Sequence, residues 1–179
     1  GVFENLGNGP IYSGSIALSS DGQLLVVDSK SDTRLWSVDS KIGSRLQKGN
    51  LDHHGGCNGA QVFLPKTHQL VTTDSAGRVL IWDLDSRARL MLDESAADRR
   101  RCIAVSTDGA MIAVSDETKA TISLWDAGNR KRIRNLAGLS TNIGGVAFSP
   151  DGSKIAVVSP AEGFSLLDIR TGEKLKSVD

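Results

Sequence analysis

The chain has 179 residues, 39% hydrophobic and 23% charged, and its 21 Lys plus Arg balance 21 Asp plus Glu to a formal net charge of zero. That composition excludes wholesale disorder, and the zero net charge argues against a phosphate-backbone binder that works by counterion release. The three tryptophans, Trp36, Trp82 and Trp125, stand 46 and 43 residues apart. A step of about 45 residues is a repeat period, and the next one lands on Leu167, in a stretch that parallels Ile122-Ser123-Leu124-Trp125-Asp126.

Taken in chain order, residues 2–6 are expected to be an outer strand left from a preceding unit. Leu6 precedes Ser19 by the same thirteen residues by which Leu136 precedes Ser149. The first unit, 12–48, has Ile16-Ala17-Leu18, the turn Ser19-Ser20-Asp21-Gly22, the run Leu24-Leu25-Val26-Val27, Trp36 and a weak fourth stretch at Arg45-Leu46-Gln47. The second, 57–92, has residues 60–64, Pro65-Lys66-Thr67-His68 where the Asp-Gly turn would stand, Ile81-Trp82-Asp83 and residues 88–92. The third, 100–136, runs Cys102-Ile103-Ala104-Val105, Ser106-Thr107-Asp108-Gly109, Met111-Ile112-Ala113-Val114, Thr121 to Trp125, then Arg132 to Leu136. The fourth, 143–178, runs Val146-Ala147-Phe148, Ser149-Pro150-Asp151-Gly152, Lys154 to Val158, Phe164 to Leu167, then Glu173 to Lys176. Runs of four or five apolar residues are too short for stable helices, and Asp-Gly accepts positive φ, so these are strands and hairpin turns. The reading is all-β, with four strands per unit. The basic fourth stretches suit an exposed edge, where Lys and Arg discourage pairing with another chain.

With the Ser-Pro-Asp-Gly turn at 149–152, its variants at 19–22 and 106–109, and the endings Ile81-Trp82-Asp83 and Leu124-Trp125-Asp126, the chain resembles the WD-repeat β-propeller family over nearly its whole length. The resemblance implies about four four-stranded antiparallel blades, part of a larger ring of seven or eight. It also implies a polar network in which a His hydrogen-bonds an Asp of the turn before the third strand and a Ser or Thr toward the Trp. Only His54 has the family spacing for that His. Asp32 stands near the Asp position, and Ala76, Lys119 and Glu162 stand there in the other units. The blades are therefore expected to be held by packing more than by that network. Trp36, Trp82, Trp125 and His54 are read as structural, because an indole buries a large area and needs one partner for its N–H.

No catalytic constellation stands out: GxSxG, HExxH and a Walker loop are missing from the sequence, and no Cys has a placed His base. Two cysteines, Cys57 and Cys102, fit neither a zinc site nor a disulfide framework. Gly55-Gly56-Cys57-Asn58-Gly59 lacks the Lys of a phosphate loop and precedes a strand, so it is read as a loop between blades. Asp93-Glu94 and Asp116-Glu117 are read as solvated turn residues. Arg99-Arg100-Arg101, with Arg130, Lys131, Arg132 and Arg134, either solvates loop and edge or meets an acidic partner segment. A propeller's usual binding face gathers the outer-to-first-strand loops, here Tyr12, Ser13, Cys57, Asn58, Arg99, Arg100, Asn142 and Ile143. A rim Tyr beside Arg has the composition of a hot spot, so Tyr12, Asn58, Arg99, Arg100 and Asn142 are the partner-binding candidates.

The expectation is a non-catalytic, cytoplasmic scaffold or sensor for a protein or peptide within a larger protein or complex. No metal, cofactor, nucleic acid or membrane is expected to take part. One alternative is a segment that self-associates to close a ring, so that its partner is a second copy or the remaining blades. Another is part of an enzyme or cofactor-binding propeller.

Overall fold

The computed structural model describes residues 15–28, 33–37, 60–74, 76–94, 101–116, 119–139 and 142–178. Among the described residues, fifteen strands form four antiparallel sheets, each built from consecutive strands. Blade 1 holds β1 (Ile16–Leu18), β2 (Leu24–Asp28) and β3 (Thr33–Ser37). Blade 2 holds β4 (Gln61–Phe63), β5 (Gln69–Thr73), β6 (Val79–Asp83) and β7 (Ala88–Asp93). Blade 3 holds β8 (Ile103–Val105), β9 (Met111–Asp116), β10 (Thr121–Asp126) and β11 (Arg132–Leu136). Blade 4 holds β12 (Gly145–Phe148), β13 (Lys154–Ser159), β14 (Gly163–Asp168) and β15 (Lys174–Val178). The expected fourth strand of blade 1 near Arg45, and the strand at residues 2–6, lie outside the described residues. Among the described residues, no helix is long and apolar enough to cross a membrane.

The first strands β1, β4, β8 and β12 neighbour one another in turn, so the sheets stack as propeller blades about a common inner side. Each neighbouring pair of blades shares one apolar layer. Val26 of blade 1 meets Phe63 and Leu70 of blade 2, with Ala17, Leu24, Leu35 and Trp82 packed around them. Val71, Val79 and Ile81 meet Ile112, Val114 and Trp125 of blade 3. Ala113, Ile122, Leu124 and Leu136 meet Ile155, Val157 and Leu167 of blade 4. Period-2 alternation makes this possible: Val71 faces forward while its neighbour Leu70 faces back, so each sheet feeds two layers. Trp82, Trp125 and Leu167 each lie in the layer shared with the preceding blade.

The Ser-x-Asp-Gly turn is a closed hydrogen-bond unit. Ser149 Oγ donates to Asp151 Oδ1 at 2.5 Å, Lys154 N–H donates to Ser149 Oγ, Ser153 N–H donates to Asp151 Oδ1, and Gly152 N–H donates to the Ser149 carbonyl. Ser19 with Asp21 and Ser106 with Asp108 repeat it. Gly109, at φ +77°, takes the left-handed conformation that favours glycine, and it lies against Pro65 of blade 2. The Asp of each Trp-Asp or Leu-Asp ending caps the turn from the third to the fourth strand. Asp83 accepts from Ser86 N–H, Asp126 from Gly128 and Asn129 N–H, and Asp168 from Thr171 N–H.

Candidate interaction face and the residues that join the blades

Because the strands of each blade are consecutive and antiparallel, the first and third connections lie at one end and the second connection and the link to the next blade at the other. At the first end, called here the lower face, the connections are short turns fastened to one another. Lys66 N–H donates to Ser20 Oγ across blades 1 and 2 at 2.9 Å, and Pro65 lies against Gly109. Met111 lies against Gly152. The links from Asp93 to Ile103 and from Leu136 to Gly145 leave and re-enter the blades on the upper face.

Of the expected partner-binding residues, Asn142 is described: it is exposed on the upper face with φ +69°, a left-handed conformation that Asn tolerates. Its neighbour Ile143 is 2% exposed and belongs to the layer between blades 3 and 4, so it is packed and not offered to a partner. Tyr12, Ser13, His54, Cys57, Asn58, Arg99 and Arg100 lie outside the described residues, as does Asp32. Cys102 is a free thiol whose Sγ contacts the Ile143 carbonyl at 3.5 Å.

Arg101 departs from the expectation for the arginine run, because it is packed within the chain. Its side chain is 2% exposed, and Nη1 donates to Asp93 Oδ2 at 2.8 Å, tying the last strand of blade 2 to the start of blade 3. One member of each acidic pair departs likewise, while Glu94 is exposed as expected and Glu117 lies outside the described residues. Asp93 serves that ion pair, and the buried Asp116 pairs with Lys119 Nζ at 2.9 Å, so neither is a solvated turn residue. Asp74, equally sequestered, takes the corresponding place in blade 2. It accepts from Ala76 and Arg78 N–H and pairs with the Arg78 guanidinium. Thus buried acids at the ends of β5 and β9 organise the turns where the family's Asp was expected two or three residues later.

The structure places the structural tryptophans as follows. Trp36 is half-buried on β3, and Trp82 donates its indole N–H to Thr72 Oγ1 at 3.0 Å. Trp125 is 8% exposed, and its Nε1 has no hydrogen-bond partner. Arg89 and Arg132, the cross-strand neighbours of Trp82 and Trp125, lie over the two indoles with the guanidinium carbon 5.7 Å from the ring centroid. The basic outer strands therefore clasp the tryptophans as well as guarding an edge. Arg134 goes further and donates to the carbonyls of Ile169, Arg170 and Thr171 in blade 4.

On the lower face His68 bridges two carboxylates, Asp85 through Nδ1 at 2.8 Å and Asp21 of blade 1 through Nε2 at 3.1 Å. Those bonds raise its pKa, Asp85 contributing most. The Asp21 carboxyl is held well below its ordinary value, first by the Ser19 hydroxyl, then by Gln23 N–H and by His68. Asp83 is held down to about 2 by the backbone N–H and hydroxyl of Ser86. Neither imidazole nitrogen is left over to act as a base, and the Ser19 hydroxyl already donates to Asp21. Among the described residues, no group of three His, Cys, Asp or Glu side chains is placed to hold a metal ion.

Stacked antiparallel sheets, Ser-x-Asp-Gly turns and Trp-Asp endings that cap the next turn define a β-propeller segment that resembles WD repeats. No protein-family profile matches the chain. Among curated proteins, the protein groucho of Drosophila melanogaster is 24% identical over 169 residues, 92% of this chain and 23% of groucho. A guanine nucleotide-binding protein subunit beta of Oryza sativa subsp. japonica is 26% identical over 140 residues, 74% of this chain and 36% of that protein. Autophagy-related protein 18 of Schizosaccharomyces pombe is 26% identical over 97 residues, 53% of this chain and 26% of that protein. These relatives are WD-repeat proteins, and the chain is similar to them at low identity and folds as propeller blades. It spans only about a quarter to a third of the length of the relatives it matches.

Proposed function

We propose that the chain is a non-catalytic interaction module of a larger protein or complex, and that it receives a protein or peptide partner across its upper face. The observation that carries this reading is the division of labour between the two faces. Lower-face turns spend their polar groups on one another, while the ends of the links from blade 2 to blade 3 and from blade 3 to blade 4 stand above, on a rigid stack, where binding residues are usually carried. Asn142 stands on the link into blade 4, and Tyr12, Asn58, Arg99 and Arg100 are proposed to join it from the sequence just ahead of the first strands of blades 1, 2 and 3. The WD-repeat relatives support a protein partner in general terms. The free thiol of Cys102 suits a reducing compartment, and the cytoplasm is the proposed location.

The test is a Tyr12→Ala plus Arg100→Ala chain assayed against partners captured by the wild type. Loss of capture with an unchanged unfolding midpoint supports the reading, and capture of every partner at wild-type strength overturns it.

A second reading has its own observation. Ile16 is 68% and Leu18 57% exposed, whereas the equivalent pairs Ile103 and Val105, and Val146 and Phe148, pack on the blade before them. That side of blade 1 is shaped for another blade, from a second copy or from the rest of a longer chain. Mass in solution separates these: a stable dimer of this chain supports closure by a second copy, and a monomer contradicts it.

A further inference from the structure

The joint between blades 1 and 2 differs from the other two. Among the described residues, Val26, Phe63 and Leu70 are the buried apolar side chains of its layer. It is also the joint bridged on the lower face by His68, which replaces the Ser-x-Asp-Gly turn of the other blades. The imidazole holds Asp85 of its own blade and Asp21 of blade 1 at 2.8 and 3.1 Å, and the adjacent Lys66 N–H to Ser20 bond crosses the same gap.

Protons decide how many of the ring's bonds exist. Both carboxylates can only accept, so holding both requires two N–H donors, and only the imidazolium has two. A neutral ring keeps one carboxylate and must release the other. Asp21 Oδ1 is already used by Ser19 and Gln23, which leaves Oδ2 to the ring and fixes its position in blade 1. The charged groups acting on the ring are these two carboxylates, from the turns β1–β2 and β6–β7, and its side chain is 32% exposed, so water reaches it.

We propose that His68 is a proton-operated latch that closes the first blade onto the second when the imidazole is charged and loosens that joint when the imidazole is neutral. The sign follows from the bonds. A group whose pKa is raised by folding adds its stabilisation below the unfolded value and loses it as the pH climbs through the folded one. The latch is therefore shut at mildly acid pH and slack at mildly alkaline pH.

The experiment is amide hydrogen exchange of the full chain at pH 6 and pH 9, each rate divided by its intrinsic rate at that pH. Protection of residues 16–28 and of Lys66 falls by about two- to fivefold at the higher pH, the scale of an exposed charged pair, while residues 121–126 do not change. In the His68→Gln and Asp21→Asn chains that pH dependence disappears. Two variants are used because a misfolded one is recognised by lost protection at 121–126, and the other then decides. The same pH dependence in a folded variant, or no pH dependence in the wild type, overturns the latch.

Discussion

Trp82 is bonded to Thr72, and Trp125, which stands in blade 3 where Trp82 stands in blade 2, faces Val114 in place of that threonine. The correspondence is exact in register. Thr72 lies two residues beyond Leu70, the cross-strand partner of Trp82, and Val114 two beyond Ile112, the partner of Trp125. In blade 4 both halves are apolar, Leu167 and Val157, and nothing polar is stranded. An unmade buried hydrogen bond costs about 1–3 kcal/mol. Val114→Thr, which supplies the missing acceptor, is therefore expected to stabilise the chain by about 1 kcal/mol, and Thr72→Val to destabilise it by about as much. Urea unfolding of the two variants checks the pair of opposite signs.

Arg101 and Asp93 form the most sequestered ion pair among the described residues, at 2% and 12% side-chain exposure. Removing one partner leaves a charge in a site that excludes water. Arg101→Ala is expected to cost about 3 kcal/mol, more than Arg101→Ala combined with Asp93→Asn costs. A double-mutant cycle followed by thermal unfolding measures the difference.

The shared layers predict an asymmetry between equivalent positions. Ile112, 0% exposed between blades 2 and 3, is expected to lose about 2–5 kcal/mol on truncation to Ala. Ile16 on the open side of blade 1, 68% exposed, is expected to change stability by less than about 0.5 kcal/mol as Ile16→Ser. Chemical denaturation of both chains is the check. A large loss at Ile16 would mean that its side is covered.

Acid should loosen the turn caps. Asp83 is held down to about 2 by Ser86 against an unfolded value of 3.8, so its stabilisation is whole above about pH 4 and is lost as the pH falls toward about 2. Asp83→Asn keeps the capping oxygen but cannot titrate. Its unfolding midpoint is expected to move less than that of the wild type across that range.

The fold was legible because its signals are local. Asp-Gly turns, period-2 alternation and the Trp interval all sit within a few residues of the structure they dictate, as at Ser149 to Lys154. The polar ties were not, because they join distant segments. Arg101 sits in a basic run that reads as solvated, and nothing near it announces that Asp93 folds back onto it. His68 stands in a turn that departs from the repeat, and that departure was the available signal. Its two carboxylates, 17 positions later and 47 earlier, come together only when blades stack. The candidate face was reached from blade topology, and of its five proposed partner-binding residues Asn142 is the one the structure describes.

The claim that the upper face receives the partner is tested most directly by amide exchange of the chain free and with its captured partner. New protection is expected at Asp93, Arg101 to Ile103 and Asn142 to Gly145, on the links between blades. Protection confined to the lower-face turns, residues 83–87, 126–130 and 168–172, would contradict it.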